Sequence, residues 1–420
     1  MRQSFYLILL QFTSILLGGF TTFYVAYKLP ASLYALLGIQ VVINSIILVF
    51  SNSGLETVGL RNFLFWKSIN KSKQIVIITT QSIFVRFSIA LFLGLILIFY
   101  AAYISNAKFQ GNYFYLFLLF ISSGIFVAIN DSFALLLKAH NKFLQAIFSM
   151  YFVSVFGKII ALFVFIYFGL NYYLYTIILL PIIIFFYLLI LTIPNISIKY
   201  LFSINLLLQS LKNSKHFAFS SYFSYLFNNI DQFLVSLFMT TEIIGAFAFS
   251  KQILGILNIF ISNFFDPLLQ NTVSFKGKLT DMAGYIKKIL QWRNIALAIG
   301  LAGVIIYYFI GSNFIQSVGF SKYPHLFENL FLIFISILIL LFYKVNYYLI
   351  ATYSHPKTYL RLTIVVAIMS LISFSLFVVF ITDRFLFGYL ILSNIGILIV
   401  TKLILKKEGG LKALVSSKSI

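Results

Sequence analysis

The sequence contains no cysteine and only nine acidic residues among 420. The first absence excludes disulfide bonds and thiolate metal sites. Charged residues make up 9% of the chain, whereas soluble domains carry roughly a quarter. Neither a GxxxxGKS or GxxxxGKT phosphate loop nor an HExxH zinc motif occurs, so we expect no direct use of ATP, no metal and no cofactor. Together these absences exclude an ordinary soluble globular protein.

Apolar residues dominate what is present. They make up 61% of the chain, and the mean hydropathy is +1.03. This is about as many apolar positions as twelve membrane spans of roughly 20 residues would need. The sequence therefore predicts an all-α membrane protein with about twelve transmembrane helices. The predicted spans are an opening run to about Tyr27, then 34–55, 75–104, 113–137, 146–169, 173–194, 217–240, 244–272, 294–316, 327–350, 362–382 and 385–405.

The charge distribution fits this count and sets an orientation. A net charge of +21 would suggest nucleic acid as partner in a soluble protein, but in a membrane protein it favours basic cytoplasmic loops. With the N-terminus inside, 22 of the 30 cations fall on the cytoplasmic side. Four fall outside, at Lys28, Lys108, Lys322 and Arg384. We therefore predict that both termini are cytoplasmic and that nucleic acid is not a partner.

The longest internal link divides the spans into two sets of six. The predicted organisation is an N-terminal lobe at 1–195, a cytoplasmic linker at 196–216, a C-terminal lobe at 217–405 and a cytoplasmic tail at 406–420. An even number of spans in each half gives both halves the same orientation, as in parallel repeats.

Polar residues recur at helical spacing on the first two helices of each half. A polar face in lipid must contact protein or water. Packing through small residues explains any single stripe about as well, but four stripes in equivalent positions predict a polar cavity shared by two lobes. The stripes are Gln11, Ser14, Gly18 and Thr22; Gln40, Asn44 and Ser51; Ser220, Ser224, Asn228 and Asp231; and Lys251, Gly255, Asn258, Ser262 and Asp266.

Charged residues also lie inside the predicted spans, where they are costly and need a purpose. Asp231 and Lys251 lie at depths that differ by only about 3 Å at 1.5 Å per residue, so adjacent antiparallel helices could pair them. The alternative is that Asp231 titrates during a transport cycle and releases Lys251. In the first half, Asp131 is the acid available to Arg86 and Lys158.

Several motifs then suggest a family. Asn229–Leu234 (NIDQFL), followed by Thr241–Lys251 (TEIIGAFAFSK), resembles the hairpin of helices 7 and 8 in Wzx-type polysaccharide biosynthesis proteins. These are flippases of the multidrug/oligosaccharidyl-lipid/polysaccharide exporter superfamily. Asn52–Arg61 resembles their signature after helix 2, and Leu135–Asn141 resembles their loop after helix 4. The resemblance spans most of the chain and the hairpin is its most specific part, although Phe247 stands where tyrosine is common.

The resemblance implies two six-helix lobes around a central cavity, as in MATE transporters, that opens alternately to each membrane face. It implies a flippase, not an enzyme, that moves an undecaprenyl-pyrophosphate-linked oligosaccharide across the bacterial inner membrane for O-antigen or capsule synthesis, with polymerase machinery as a further partner. A drug or metabolite antiporter on the same fold remains open, as does a membrane polymerase or glycosyltransferase. The antiporter would favour acidic cavity residues, and the enzyme a large external loop or a carboxylate pair.

Arginine and lysine bind phosphate oxygens through charge-assisted hydrogen bonds. We therefore expect Arg86, Lys158 and Lys251 to bind the lipid diphosphate, unless Asp131 satisfies the cations of the first lobe. Asp131 and Asp231 are the expected ion-pairing or coupling acids. The amides expected to line the sugar-binding cavity are Gln11, Gln40, Asn44, Asn228 and Asn258.

Overall fold

The structure is a computed structural model of the chain. It describes residues 2–52, 72–139, 145, 156–192, 229–270, 279–353, 356–380 and 383–407, together with ten separate positions at 208, 211, 212, 214, 215, 218, 219, 222, 223 and 225.

The described residues form twelve α-helices and one 3₁₀ turn, and no strand occurs among them. Each helix overlaps one of the twelve predicted spans, so the all-helical fold class is confirmed. Nine of these helices are long and apolar enough to cross a membrane. The helices are α1 Arg2–Lys28, α2 Ala31–Phe50, α3 Ser72–Phe109, α4 Phe114–Ala139, α5 Lys158–Phe168, α6 Leu170–Thr192, α7 Ile230–Phe238, α8 Thr241–Gln270, α9 Leu279–Ser317, α10 Leu326–Tyr353, α11 Pro356–Phe380 and α12 Gly388–Lys407.

Proline and glycine set two of the closest helix boundaries. Pro30 follows Leu29, and a proline disfavours helical geometry in the residue before it; α1 ends at Lys28 and α2 begins at Ala31. Gly169 alone separates α5 from α6 and has φ of 84°. Side chains other than glycine rarely adopt this conformation, so the direct turn between these helices depends on glycine.

Two helices are much longer than a bilayer requires. α3 has 38 residues and α9 has 39, which corresponds to roughly 57 Å and 58 Å at 1.5 Å per residue, against a hydrocarbon core of about 30 Å. The predicted ninth span at 294–316 misses residues 279–293 of α9, where Lys287 and Lys288 lower the hydropathy. The helix therefore continues into a charged segment that hydropathy alone assigns to a loop.

The described residues cluster into two compact units. The first unit contains 1–28, 36–225 and 232–241, and thus α1, most of α2, and α3 to α6. Within it, α4 packs against both α3 and α6, and α5 packs against α1 and α6. Its core includes a cluster between α4 and α6, formed by Ile129, Phe133, Leu137, Ile184 and Leu188.

The second unit contains 29–35, 226–231 and 242–420. Its helix α10 packs against α9, α11 and α12, and α11 also packs against α12. A buried apolar cluster joins these helices and includes Phe265, Leu349 and Leu362. By contrast, α9 exposes large apolar side chains such as Ile299 and Phe309, as expected of a helix that faces lipid.

Some predicted features lie outside the described residues. Asn228 is one, as are most of the predicted linker at 196–216, the tail from 408 onward and residues 53–61 of the motif after helix 2. For Gln11 and Asp266 the structure describes the helix but not the side chain.

Candidate functional site: two buried ion pairs and an unpaired lysine

Arg86 forms the buried ion pair of the first unit. α3 carries it one to two turns after a polar run at 79–82, all of it buried. Its Nη2 donates to Asp131 Oδ2 on α4 at 2.8 Å and to the backbone carbonyl of Leu48 at 3.2 Å. Leu48 lies in the last turn of α2, where carbonyls lack partners within the helix. A single guanidinium therefore ties α2, α3 and α4 together and neutralises Asp131.

The two partners of this ion pair differ in burial. The Arg86 side chain is 1% exposed, whereas that of Asp131 is 36% exposed. The cation is thus the deeply buried partner, whereas the side chain of the acid is partly exposed. Of the two possibilities that the sequence leaves open for Arg86, the structure has the arginine bound to Asp131.

Lys158 is the first residue of α5, and its ammonium lies over α1. A Cβ at Gly18 would lie 2.6 Å from Lys158 Nζ, so the absence of a side chain at position 18 leaves room for the charge. Gly18 belongs to the polar stripe predicted for α1. Within the described part of the chain, no acid and no hydrogen-bond acceptor pairs with Lys158. The first unit therefore carries a surplus positive charge at this position.

The amides predicted for α2 lie inside the first unit. Gln40 is buried. Asn44 packs against Gly124 of α4, where a Cβ would lie 2.9 Å from Asn44 Oδ1. That oxygen is buried and accepts no hydrogen bond from any described residue. Asn44 therefore supports close packing of α2 on α4.

Asp231 is the centre of the polar cluster in the second unit. It lies in the first turn of α7 as described, and its Oδ2 accepts hydrogen bonds from Lys251 Nζ on α8 and from the Tyr389 hydroxyl on α12. The Asp231 side chain is 2% exposed and that of Lys251 is 15% exposed. Asp231 and Lys251, which the residue spacing suggested as a pair, are thus in contact. In this pair the acid is the deeply buried partner.

Aromatic packing fixes the third member of this cluster. The Tyr389 ring meets Phe374 of α11 edge to face, with centroids 4.9 Å apart. A few residues earlier, Phe387 stacks on Phe247 of α8 at 4.5 Å. These contacts orient the start of α12 so that the Tyr389 hydroxyl points at Asp231. The sequence gives no signal for this role, because one tyrosine among 27 carries no pattern.

Asn258 lies two turns beyond Lys251 on α8. Its Oδ1 is buried and has no hydrogen-bond partner among the described residues. One turn further, Ser262 accepts a hydrogen bond from Lys344 Nζ of α10 at 3.0 Å. The polar stripe of α8 is therefore partly used in contacts between helices and partly left unsatisfied at Asn258.

Comparison with known proteins identifies the fold. No family profile matches the sequence, and no curated protein matches it. Solved structures do match. An inward-facing multidrug resistance MATE transporter of the MOP superfamily aligns with 98% of this chain and 100% of its own, with a TM-score of 0.69 and 13% identity. This chain has the MATE-transporter fold.

Two further structures share the MATE-transporter fold with this chain. The lipid II flippase MurJ, in an inward closed conformation, aligns with 98% of this chain and 89% of its own, with a TM-score of 0.66 and 17% identity. An outward-facing multidrug resistance MATE transporter aligns with 98% and 97%, with a TM-score of 0.57 and 14% identity. At these identities the likeness establishes architecture, and the substrate must be argued from the residues of this chain.

Proposed function

We propose that this protein is a flippase that moves an undecaprenyl-pyrophosphate-linked oligosaccharide from the cytoplasmic to the outer leaflet by alternating access, with Lys158 binding a phosphate of the lipid diphosphate. The MATE-transporter fold, which a lipid II flippase shares, supports a transporter of lipid-linked substrates. The Wzx-like motifs support a polysaccharide precursor as the cargo, for O-antigen or capsule synthesis.

The observation that carries this proposal is which of the charged residues inside the membrane spans are paired. Asp131 and Asp231, the acids with described side chains that lie well inside the spans, are both paired with basic residues. Glu242 and Glu328 lie in the first turns of α8 and α10, at the helix ends. Lys158 has no such partner in the described part of the chain. An exporter of cationic drugs would need an available carboxylate, whereas an available ammonium suits a phosphate. The surplus positive charge therefore favours an anionic lipid over a cationic drug.

The paired cations take different roles in this proposal. Arg86 acts as a positioning residue, because its hydrogen bonds to Asp131 and Leu48 hold α2, α3 and α4 together. Lys251 remains a candidate ligand, and Asp231 holds its ammonium in this structure. The buried oxygens of Asn44 and Asn258 are candidate acceptors for sugar hydroxyls.

The proposed location follows from the charge distribution of the sequence. A cytoplasmic N-terminus places most cations on the inner side of a bacterial inner membrane and leaves both termini in the cytoplasm. Polymerase machinery at the outer face would then receive the flipped oligosaccharide.

A flipping assay with the purified protein in liposomes tests the role of Lys158. The substrate is a fluorescent oligosaccharide on undecaprenyl pyrophosphate. We expect Lys158→Gln to slow flipping at least tenfold, and Lys158→Arg to retain most activity because it keeps the charge. Gly18→Ala should also slow flipping, since its Cβ would displace the ammonium. Gly284→Ala is the matched control, because nothing lies near its Cβ position.

Normal flipping by Lys158→Gln at unchanged protein abundance would show that Lys158 is not the phosphate ligand. Transport of a cationic dye by the wild-type protein, without flipping of the diphosphate lipid, would instead support the drug antiporter.

A further inference from the structure

A cavity of about 670 Å³ lies in the first unit, at the turn between α3 and α4 and beside the start of α6. This is well within the size range of small-molecule sites. It is remote in sequence from Arg86 and Lys158, and neither residue lines it. In the predicted topology this turn faces the outside of the cell.

The chemistry of the lining is distinctive. Three amides and three tyrosines contribute to it, and no charged side chain does. The amide groups of Asn106 and Asn171 make no hydrogen bond to any described residue, so their donors and acceptors are available to a ligand. The six residues are Asn106, Asn112, Asn171, Tyr113, Tyr115 and Tyr175.

The turn that carries two of these groups, Asn112 and Tyr113, is held in a defined shape. Gln110, Gly111 and Tyr113 all have positive φ, at 54°, 83° and 67°. Ser105 stabilises the turn twice, since its carbonyl accepts from Gly111 N at 2.9 Å and its hydroxyl donates to the Asn112 carbonyl at 2.7 Å.

Aromatic packing anchors the same turn from within. Phe109 meets the rings of Tyr113 and Phe117 edge to face. A wall that is rigid before binding lowers the entropy cost of holding a ligand. The part of the cavity wall that the turn supplies is therefore pre-formed.

We propose that this cavity binds an uncharged sugar ring. Tyrosine rings offer flat apolar faces with a polar edge, which suit the C–H face of a sugar. Amides both donate and accept hydrogen bonds, as sugar hydroxyls require. An acyl chain would leave the amides unsatisfied, and an anion would find no cation in the lining. The proposal stands without the flippase function, because it concerns a separate site.

Saturation-transfer difference NMR on the full chain in phosphatidylglycerol nanodiscs tests this site. The probes are maltotetraose, cellotetraose, chitotetraose and mannotetraose. We expect transfer to the ring protons of at least one probe, and at least tenfold weaker binding with Asn171→Ala and with Tyr175→Ala. Tyr103→Ala is the matched control, because Tyr103 is exposed on the same end of α3 but does not line the cavity.

The results of this experiment distinguish sugar binding in this cavity from effects elsewhere in the protein. Absence of transfer to all four probes overturns the proposal, as does an equal loss of binding with Tyr103→Ala. The Lys158→Gln protein should bind the sugar as the wild-type protein does, whether or not it flips lipid. Competition from a neutral glycolipid added to the nanodiscs would assign the sugar to a lipid headgroup. Lack of competition would assign it to a glycan outside the bilayer.

Discussion

Among the described residues, each unit buries one ion pair, but the two pairs bury opposite partners. In the first unit the cation is deeply buried, with Arg86 1% exposed and Asp131 36% exposed. In the second unit the acid is deeply buried, with Asp231 2% exposed and Lys251 15% exposed. Breaking a buried pair is costly mainly because of the charge that is left behind. The units should therefore respond in opposite ways to the loss of an acid or of a base.

The deeply buried member of each pair also forms a hydrogen bond to a neutral group, and this group differs between the two units. Arg86 has a second acceptor in the Leu48 carbonyl, which contributes a partial negative charge from the end of α2. Asp231 has a second donor in the Tyr389 hydroxyl. Each buried ion thus has a charged and a neutral partner among the described residues. This arrangement suits a low-dielectric interior, where an unsatisfied ion costs several kcal/mol.

The largest effect is expected in the first unit from Asp131→Asn. This change removes the Asp131 counter-charge of the buried guanidinium and should destabilise the protein by about 3–5 kcal/mol. Arg86→Gln leaves a half-exposed carboxylate near the end of α4 and should cost less, about 1–3 kcal/mol. The thermal unfolding midpoint of the purified protein in detergent should therefore fall further for Asp131→Asn.

The double variant Asp131→Asn/Arg86→Gln is the control for this effect. It removes both charges, so it should be more stable than Asp131→Asn alone. If Arg86→Gln proves the more damaging single change, charge burial does not determine the stability of this pair.

In the second unit, the loss of the base should destabilise the protein more than the loss of the acid. Lys251→Gln removes the ammonium that pairs with the buried Asp231 carboxylate and should cost about 3 kcal/mol. Asp231→Asn leaves Lys251, which is more exposed and has a flexible stem that can reach water, so it should cost about 1–2 kcal/mol. Unfolding midpoints measured as for the first pair provide the comparison.

A double-mutant cycle measures how strongly this second pair is coupled. The combined change Lys251→Gln/Asp231→Asn should be less destabilising than the sum of the two single changes, by about 1–3 kcal/mol. Lys344→Gln serves as a control lysine, since Lys344 Nζ donates to a serine and not to Asp231. Additive losses would contradict direct pairing in the purified protein.

The sequence predicts the helices well because apolar length is a local property. Each of the twelve predicted spans overlaps a helix of the described residues. The error in the predicted helix boundaries also has a local cause. The hydropathy pattern misses the first part of α9 because Lys287 and Lys288 resemble loop residues, although a helix can continue beyond the bilayer.

Partners across helices are much less predictable. The steps along α7 and α8 place Asp231 and Lys251 at similar depth, and this is enough to suggest their contact. The sequence leaves open whether Arg86 pairs with Asp131 or binds the lipid diphosphate. The spacing of residues along α3 and α4 does not reveal how the two helices are rotated against each other. Tyr389 and the Leu48 carbonyl are missed entirely, since both roles depend on packing in three dimensions.

The smallest expected effect comes from Tyr389→Phe. The change removes the hydroxyl donor to Asp231 but keeps the ring that packs on Phe374. Hydrogen bonds to charged groups contribute about 1.5–3 kcal/mol, and Lys251 continues to satisfy the carboxylate, so we expect a loss near the lower value. The unfolding midpoint should therefore fall less than it does for Lys251→Gln.

Tyr343→Phe provides the matched comparison in the same unit. The buried Tyr343 hydroxyl donates to the neutral Asn394 Oδ1 at 2.8 Å, and a neutral hydrogen bond contributes about 0.5–1.5 kcal/mol. Tyr389→Phe should accordingly cost more than Tyr343→Phe in the wild-type protein. In an Asp231→Asn background the Tyr389 hydroxyl also faces a neutral partner, so the difference between the two tyrosines should disappear. If it persists there, Tyr389 stabilises α12 through its packing and not through the Asp231 charge.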